Sequence, residues 1–170
     1  YNESGGTDID PTPVIGLLGV VDDLRQRPPG ARLVDGHRLI VLGPETKSLG
    51  GSLWAATHGA PGGDLAPLDS YLHQRVAWLV RIVVTDGLVG VVHDISAGGV
   101  GVAIAEMVSR SGVGAHLARI ADHRDLFGEG PSRVVVAVDP ECLAEVLAAA
   151  EDHEVPTSRI GLAPGDRRVI

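Results

Sequence analysis

The chain is short of the residues that cross-link a fold or anchor a metal. It holds one cysteine, Cys142, which rules out an internal disulfide and fits a reducing cytoplasm. Aromatic residues make up only 3% against a hydrophobic fraction of 44%, so the core has to be built from Val, Leu, Ile and Ala. No run reaches the roughly 18 apolar residues of a membrane-spanning helix, and no basic, apolar, small-residue leader opens the chain. Positive charge is scarce too: 14 Lys and Arg stand against 22 Asp and Glu, a net charge of −8. That balance argues against nucleic acid or an anionic membrane as a partner. The seven histidines show neither H-x-H nor H-E-x-x-H spacing, so no metal site is expected from them. Cys142 follows Glu141, and a neighbouring carboxylate opposes thiolate formation, so an inert thiol is expected.

At 170 residues the chain is about one domain, large enough to bury roughly two-thirds of its unfolded surface. It opens on Tyr1 and its sole methionine is Met107, which leads us to expect a piece of a longer protein. Residues 1–13 are polar and rich in Gly and Pro and read as a linker; Val14 to Val21 reads as a buried strand. Asp35-Gly36 lies between Ala31–Val34 and Arg38–Leu42, the dipeptide of a two-residue hairpin. Gly50-Gly51-Ser52 precedes a short helix through Leu53–Ala56. Leu68, Leu72, Val76, Leu79 and Val83 recur at helical spacing, predicting a helix over 68–85 that ends before Gly87. Val89–Val92 and Arg133–Val138 read as strands, Gly99–Ser109 as a helix of small residues. Asp139-Pro140 supplies a cap and a first-turn proline for a helix over 140–152, and Ser158–Leu162 and Arg168–Ile170 close the chain in extended form. The alternation predicts an α/β (α+β) fold, a three-layer α/β/α arrangement with a mixed sheet. In it the hairpin supplies the antiparallel part and residues 139–160 a strand–helix–strand crossover.

Four motifs carry chemistry. "HDISAGG", His93 to Gly99, joins a strand end to a helix start. Asp94 or Ser96 would cap the helix, and Gly98 and Gly99 permit positive φ or close packing. The same geometry, bare N–H groups at a helix start, also suits an anion. Both readings stand at this point. Gly99-Val100-Gly101 begins a dinucleotide fingerprint, but Ile104 is too large for its third small position. "PETKSLGGS", Pro44 to Ser52, resembles a phosphate loop but has Lys47 before Gly50-Gly51, and reads as a polar loop ending in a helix cap. Asp22-Asp23 could bind a divalent cation but reads rather as a cap at a strand end, and "LFGEGPSR", Leu126 to Arg133, reads as a surface turn into the next strand.

Taken in order, "YNESGGTDIDPTPVIGLLGVVDD", "ETKSLGGS", "HDISAGGVGVAIAEM" and "LFGEGPSR" resemble the aminoimidazole ribonucleotide synthetase-related superfamily over nearly the whole chain. Within it, Tyr-Asn-Glu and Pro-Thr-Pro-Val-Ile-Gly look most like the C-terminal domain of the phosphoribosylformylglycinamidine synthase family. The resemblance implies an ATP-dependent ligase of purine biosynthesis. It converts formylglycinamide ribonucleotide, ATP and glutamine-derived ammonia to the amidine, ADP and phosphate, activating the formyl amide oxygen as a phosphate ester. It further implies ATP and Mg²⁺ in the complete enzyme, a glutaminase subunit and a small accessory subunit as partners, and a cytoplasmic location. Residues 1–13 would be a linker from a preceding N-terminal domain and residues 14–170 the C-terminal domain. The family's catalytic histidine and most of its magnesium and ATP ligands lie in the N-terminal domains, so no catalytic or metal-binding residue is expected here. Tyr1, Asn2 and Glu3 would adjoin a ligand cluster just upstream, and His93, Asp94, Ser96, Gly98 and Gly99 would form the nucleotide- or phosphate-facing turn. Two departures stand out: Ala97 replaces an acid of that turn, which tells against a direct cation role, and Pro44 replaces a glycine before Glu45-Thr46. Two readings follow from the resemblance. The domain either contributes backbone donors to a substrate or ATP phosphate, or it is a non-catalytic structural domain completing a pseudo-symmetric interface.

Overall fold

Two strands carry the densest aliphatic runs of the chain, and both sit in the middle of one sheet. The computed structural model describes residues 3–9, 13–20, 29–60, 62–166 and 168–170. A two-stranded hairpin, β1 (Glu3–Ser4) and β2 (Thr7–Asp8), comes first. The main sheet contains β3 (Arg38–Leu42), β4 (Val91–Asp94), β5 (His116–Leu117), β6 (Val134–Val138) and β7 (Thr157–Leu162), in the order β4-β6-β3-β7-β5. Helices α1 (Leu53–Thr57), α2 (Ser70–Thr85), α3 (Gly99–Ser111), α4 (His123–Phe127) and α5 (Leu143–Asp152) complete the described elements.

Side-chain alternation divides the core into two layers. Leu39 and Val41 of β3, with Val135 and Ala137 of β6, pack under α3 through Val100, Ala103, Ile104 and Met107. Ile40 and Leu42, with Val136 and Val138, face the other way onto α2 and α5 through Val76, Leu79, Val83, Val146 and Ala150. A strand buried on both faces cannot alternate apolar with polar, which is why RLIVL and VVVAV are nearly unbroken aliphatic runs. The three-layer α/β/α architecture follows directly from this. The long helix expected from periodicity is α2, started by Asp69, whose carboxylate accepts from the N–H groups of Tyr71 (2.9 Å) and Leu72 (3.0 Å).

The pairing differs from expectation. Every pair in the five-stranded sheet is antiparallel. Parallel pairing is confined to isolated bridges, Gly30 with Val91 and Ala115 with Val169. Asp35-Gly36 does turn the chain, with the His37 N–H on the Val34 carbonyl at 3.3 Å, but residues 31–34 form no strand. β3 instead takes β6 on one side and β7 on the other, so the expected hairpin is absent. The turn docks on the end of β7: the Gly36 N–H donates to the Ala163 carbonyl and the Ala163 N–H to that of His37. The crossover is present, since β6 and β7 both run antiparallel to the intervening β3 and are therefore parallel to each other across α5. That helix begins at Leu143 rather than Pro140, because Asp139 closes a turn instead, accepting from the Glu141 N–H at 2.9 Å. β4 likewise starts two residues after the expected Val89, whose N–H closes the end of α2 on the Val83 carbonyl.

The largest correction is Val14 to Val21. Among the described residues 14–20 form no strand, and Val14, Leu17 and Leu18 are almost fully exposed. Residues 14–20 pair with no strand of the main sheet. The pair Asp22-Asp23 lies outside the described residues, as do Tyr1 and Asn2. Within the polar opening segment, residues 3–8 form the small β1–β2 hairpin.

Leu79 has no exposed surface and joins α2 to the sheet, whereas its neighbour Trp78 is half exposed with Arg81 over its ring. Leu79→Ala is expected to lower unfolding stability by about 2–5 kcal/mol, and Trp78→Ala by clearly less, as read by urea denaturation.

Candidate functional site at a shared carboxylate

The HDISAGG turn lies where β4 runs into α3, as its pattern suggests, but it is not capped by its own side chains. His93 and Asp94 are the last two residues of β4. Gly98 is the N-cap of α3, with φ +85°, and no side-chain cap bond is made from within the turn. Neither Asp94 nor Ser96 caps with its side chain; Ser96 acts through its carbonyl, which accepts the Gly99 N–H at 3.0 Å. The Gly98 N–H donates to the Glu129 carboxylate at 2.7 Å. The same carboxylate oxygen accepts the Leu53 N–H, the first of α1, at 2.8 Å. Two helix N-termini thus share one anion, and their dipoles favour it.

This contact brings together three of the sequence motifs. Glu129 belongs to LFGEGPSR, Leu53 follows PETKSLGGS, and Gly98 is the first of the two glycines of HDISAGG. The Glu129 N–H also donates to the Ser48 carbonyl at 2.9 Å, tying the first two loops by backbone as well. LFGEGPSR is therefore no mere surface turn. PETKSLGGS ends in a helix cap as expected: Ser52 is 1% exposed and its hydroxyl accepts the Ala55 N–H at 3.1 Å. Trp54 of α1 stacks on His123 at the start of α4, with ring centroids 4.8 Å apart. No motif in the local sequence announces the Glu129 bridge, because its partners lie 31 and 76 residues away.

The glycines earn a structural explanation. A Cβ on Gly99 would sit 2.6 Å from the Leu126 carbonyl oxygen and 2.8 Å from that of Gly128. With φ at +66°, Gly99 is doubly constrained: its backbone favours glycine and its bare Cα lets α3 approach the loop after α4. His93 is turned inward, its side chain 11% exposed; Nε2 meets Glu106 Oε2 at 2.8 Å and Nδ1 meets the Asp94 carbonyl at 2.7 Å. Glu106 is shared with Arg110 at 3.6 Å. What the turn leaves open to solvent is Asp94, Ser96 and Ala97. No group of three or more His, Cys, Asp and Glu side chains converges among the described residues, and Ala97 supplies no ligand atom to Asp94.

On the same face, Lys47 and Asp125 form an ion pair at 2.9 Å. The hydrogen bond from Lys47, reinforced by the N–H groups of Ala121 and Asp122, pulls the Asp125 carboxyl down to about 2.

A family model described as AIR synthase related protein, C-terminal domain, matches residues 34–170. The chain belongs to this family. It is 38% identical over its whole length to phosphoribosylformylglycinamidine synthase subunit PurL of a Nocardioides species, and 37% identical to that of Moorella thermoacetica. It spans only 23% and 24% of the length of those relatives. Among solved structures it is similar to Thermotoga maritima PurL complexed with ATP, with a TM-score of 0.70, 18% identity, and coverage of 86% of this chain and 25% of the other. Its likeness to the same protein complexed with FGAR has a TM-score of 0.69, 18% identity and coverage of 81% and 25%. Those structural likenesses establish the fold of this family member. Its match begins at residue 34, so the exposed run at 14–20 lies before the matched region.

Two measurements check the site. Glu129→Ala removes a charged acceptor from two N–H groups and should lower stability by about 1–3 kcal/mol in urea unfolding, with Glu129→Gln costing less because its amide oxygen still accepts both. For Asp125, a depressed folded pKa stabilises the fold above pH 3.8 and is lost as pH falls towards 2. In Lys47→Met, the Asp125 carboxyl resonance should titrate closer to 3.8, and that part of the acid sensitivity should shrink.

Proposed function

We propose that the chain is the C-terminal domain of a PurL-type synthetase, an ATP-dependent ligase. Its reaction turns formylglycinamide ribonucleotide, ATP and glutamine-derived ammonia into formylglycinamidine ribonucleotide, ADP and phosphate. The observation that carries this reading is the end-to-end match, at 37–38% identity, to relatives named for that activity, of which the chain spans about a quarter. The meeting of PETKSLGGS, HDISAGG and LFGEGPSR at Glu129 supports it, since the motifs behind the resemblance form one unit. On this reading residues 1–13 lead from a preceding domain, Tyr1, Asn2 and Glu3 adjoin its ligand cluster, and residues 14–170 form the C-terminal domain. Its partners are a glutaminase subunit and a small accessory subunit, and its place is the cytoplasm. No helix among the described residues is long and apolar enough to cross a membrane.

ATP supplies the phosphoryl group of the reaction, and Mg²⁺ belongs to the preceding domains rather than to this one. In the turn, division of labour follows from geometry. Gly98 and Gly99 seat α3: one N–H already holds Glu129, and a side chain at Gly99 would meet backbone. His93, locked to Glu106, fixes the strand end. On this reading exposed Ser96, with Asp94 and the backbone at Ala97, faces a phosphate-bearing ligand at the start of α3. The second reading, a domain whose role is structural, is favoured by the internal carboxylate itself, because Glu129 already satisfies the donor that an outside anion would seek.

In the intact protein, ammonia- and ATP-dependent amidine formation is expected, and residues 1–170 alone should yield none. Ser96→Asp places a negative charge on the exposed rim and should raise the KM for ATP or ribonucleotide about tenfold at unchanged Tm. Gly99→Ala should instead lower Tm. A wild-type KM in Ser96→Asp would leave only the structural reading of the turn.

A further inference from the structure

The face of the sheet covered by α3 holds a cleft of about 200 Å³ that none of the motif contacts fills. Its floor is apolar, from Val41, Val100 and Ile160. Its walls carry four cations, Lys47, Arg119, Arg133 and Arg159, against two carboxylates, Glu45 and Asp125. In a chain of net charge −8 this is a local excess of positive charge. Both carboxylates are engaged: Asp125 holds Lys47 at 2.9 Å, and Glu45 accepts the Ser158 hydroxyl at 3.1 Å.

Arg133 is the unusual member. It stands one residue before β6, on the side of Val135 and Ala137, so alternation sends it to the α3 face. The residue is 7% exposed. Its Nη1 donates to the Gly128 carbonyl at 3.1 Å, but its buried Nε has no partner, and among the described residues no carboxylate lies within 4.0 Å to pair with it. Burial pushes the guanidinium pKa down and the attraction of Glu45 only partly opposes this. A guanidinium offers five N–H donors in a rigid fork, and leaving one buried and unpaired is costly. Such a fork suits an anion with two acceptor oxygens in one plane.

We propose that this cleft binds the phosphoryl group of a phosphate ester, gripped by the Arg133 fork. Lys47, Arg119 and Arg159 surround it, and the Thr46 hydroxyl is a further donor. An excess of two positive charges matches a monoester dianion rather than a single carboxylate. The volume, several times the roughly 30 Å³ share of one water, leaves room over the apolar floor for the organic part of the ester. The site is separate from the HDISAGG turn and does not rest on the proposed reaction.

Calorimetric titration of the intact protein with inorganic phosphate, and with ATP in competition, tests it. Saturable phosphate binding is expected in the parent protein. Arg159→Gln, an exposed position, should weaken it about tenfold at unchanged Tm. Arg133→Lys, which keeps the charge but loses the fork, should weaken it more. Arg81→Gln, an exposed cation on α2 outside both the cleft and the turn, should leave it unaltered, so that a loss in the cleft variants is not a general charge effect. Displacement of phosphate by ATP would assign a nucleotide phosphate, and phosphate binding that ATP leaves untouched would assign a smaller ester; either supports the site. Absence of saturable binding, unchanged affinity in Arg159→Gln and Arg133→Lys, or equal displacement by acetate would overturn it.

Discussion

The Glu129 carboxylate, accepting N–H groups from the starts of two helices, is the contact on which the loop face of this domain depends. A helix start leaves several donors unsatisfied, and a carboxylate between two of them meets both needs with one side chain. Because α1 and α3 are separate in the chain, the bond also fixes their mutual position. The Gly99 approach to the carbonyls of Leu126 and Gly128 works in the same place and to the same end. A carboxylate at 2.7 Å and a glycine in the left-handed region together set how closely α3 can lie on the loop that carries Glu129.

Beneath that face lies a sheet whose central strands are covered on both sides. β3 and β6 bury alternate side chains into two different layers, so a change of volume in either strand is felt on both sides of the sheet. The arrangement also decides where polar residues can go. Arg133 stands just before such a strand, buried on the α3 side with one N–H on the Gly128 carbonyl and its Nε without a partner. The core and the cleft are therefore one construction, with the apolar floor of the cleft formed by residues of the sheet and of α3 themselves.

The candidate site was half legible in the sequence. HDISAGG marked a strand-to-helix turn with two glycines, and the structure has that turn, with both glycines at positive φ. PETKSLGGS marked a helix cap, and Ser52 is that cap. LFGEGPSR was read as a surface turn, yet it contributes the bridging Glu129 and the buried Arg133. The signal was there in the sense that an acid and an arginine bracket a Gly-Pro turn. What either side chain meets depends on residues brought near only by the sheet. Asp94 and Ser96 show the converse error: good cap residues beside a helix start, displaced by a carboxylate from elsewhere.

Local sequence determined the elements whose signal repeats within a turn or two. The stripe through Val76, Leu79 and Val83, the aliphatic runs of β3 and β6, and the helix over Leu143–Asp152 are all properties of neighbouring residues, and so they could be read directly. Tertiary structure alone decided which strands pair. Asp35-Gly36 is a turn, but β3 pairs with the all-aliphatic β6 on one side and with β7 on the other, which leaves residues 31–34, of which only Leu33 is buried, outside the ladder. It also decided that the apolar run at 14–20 lies outside the sheet, because hydrophobicity records the need for burial and not the surface that meets it.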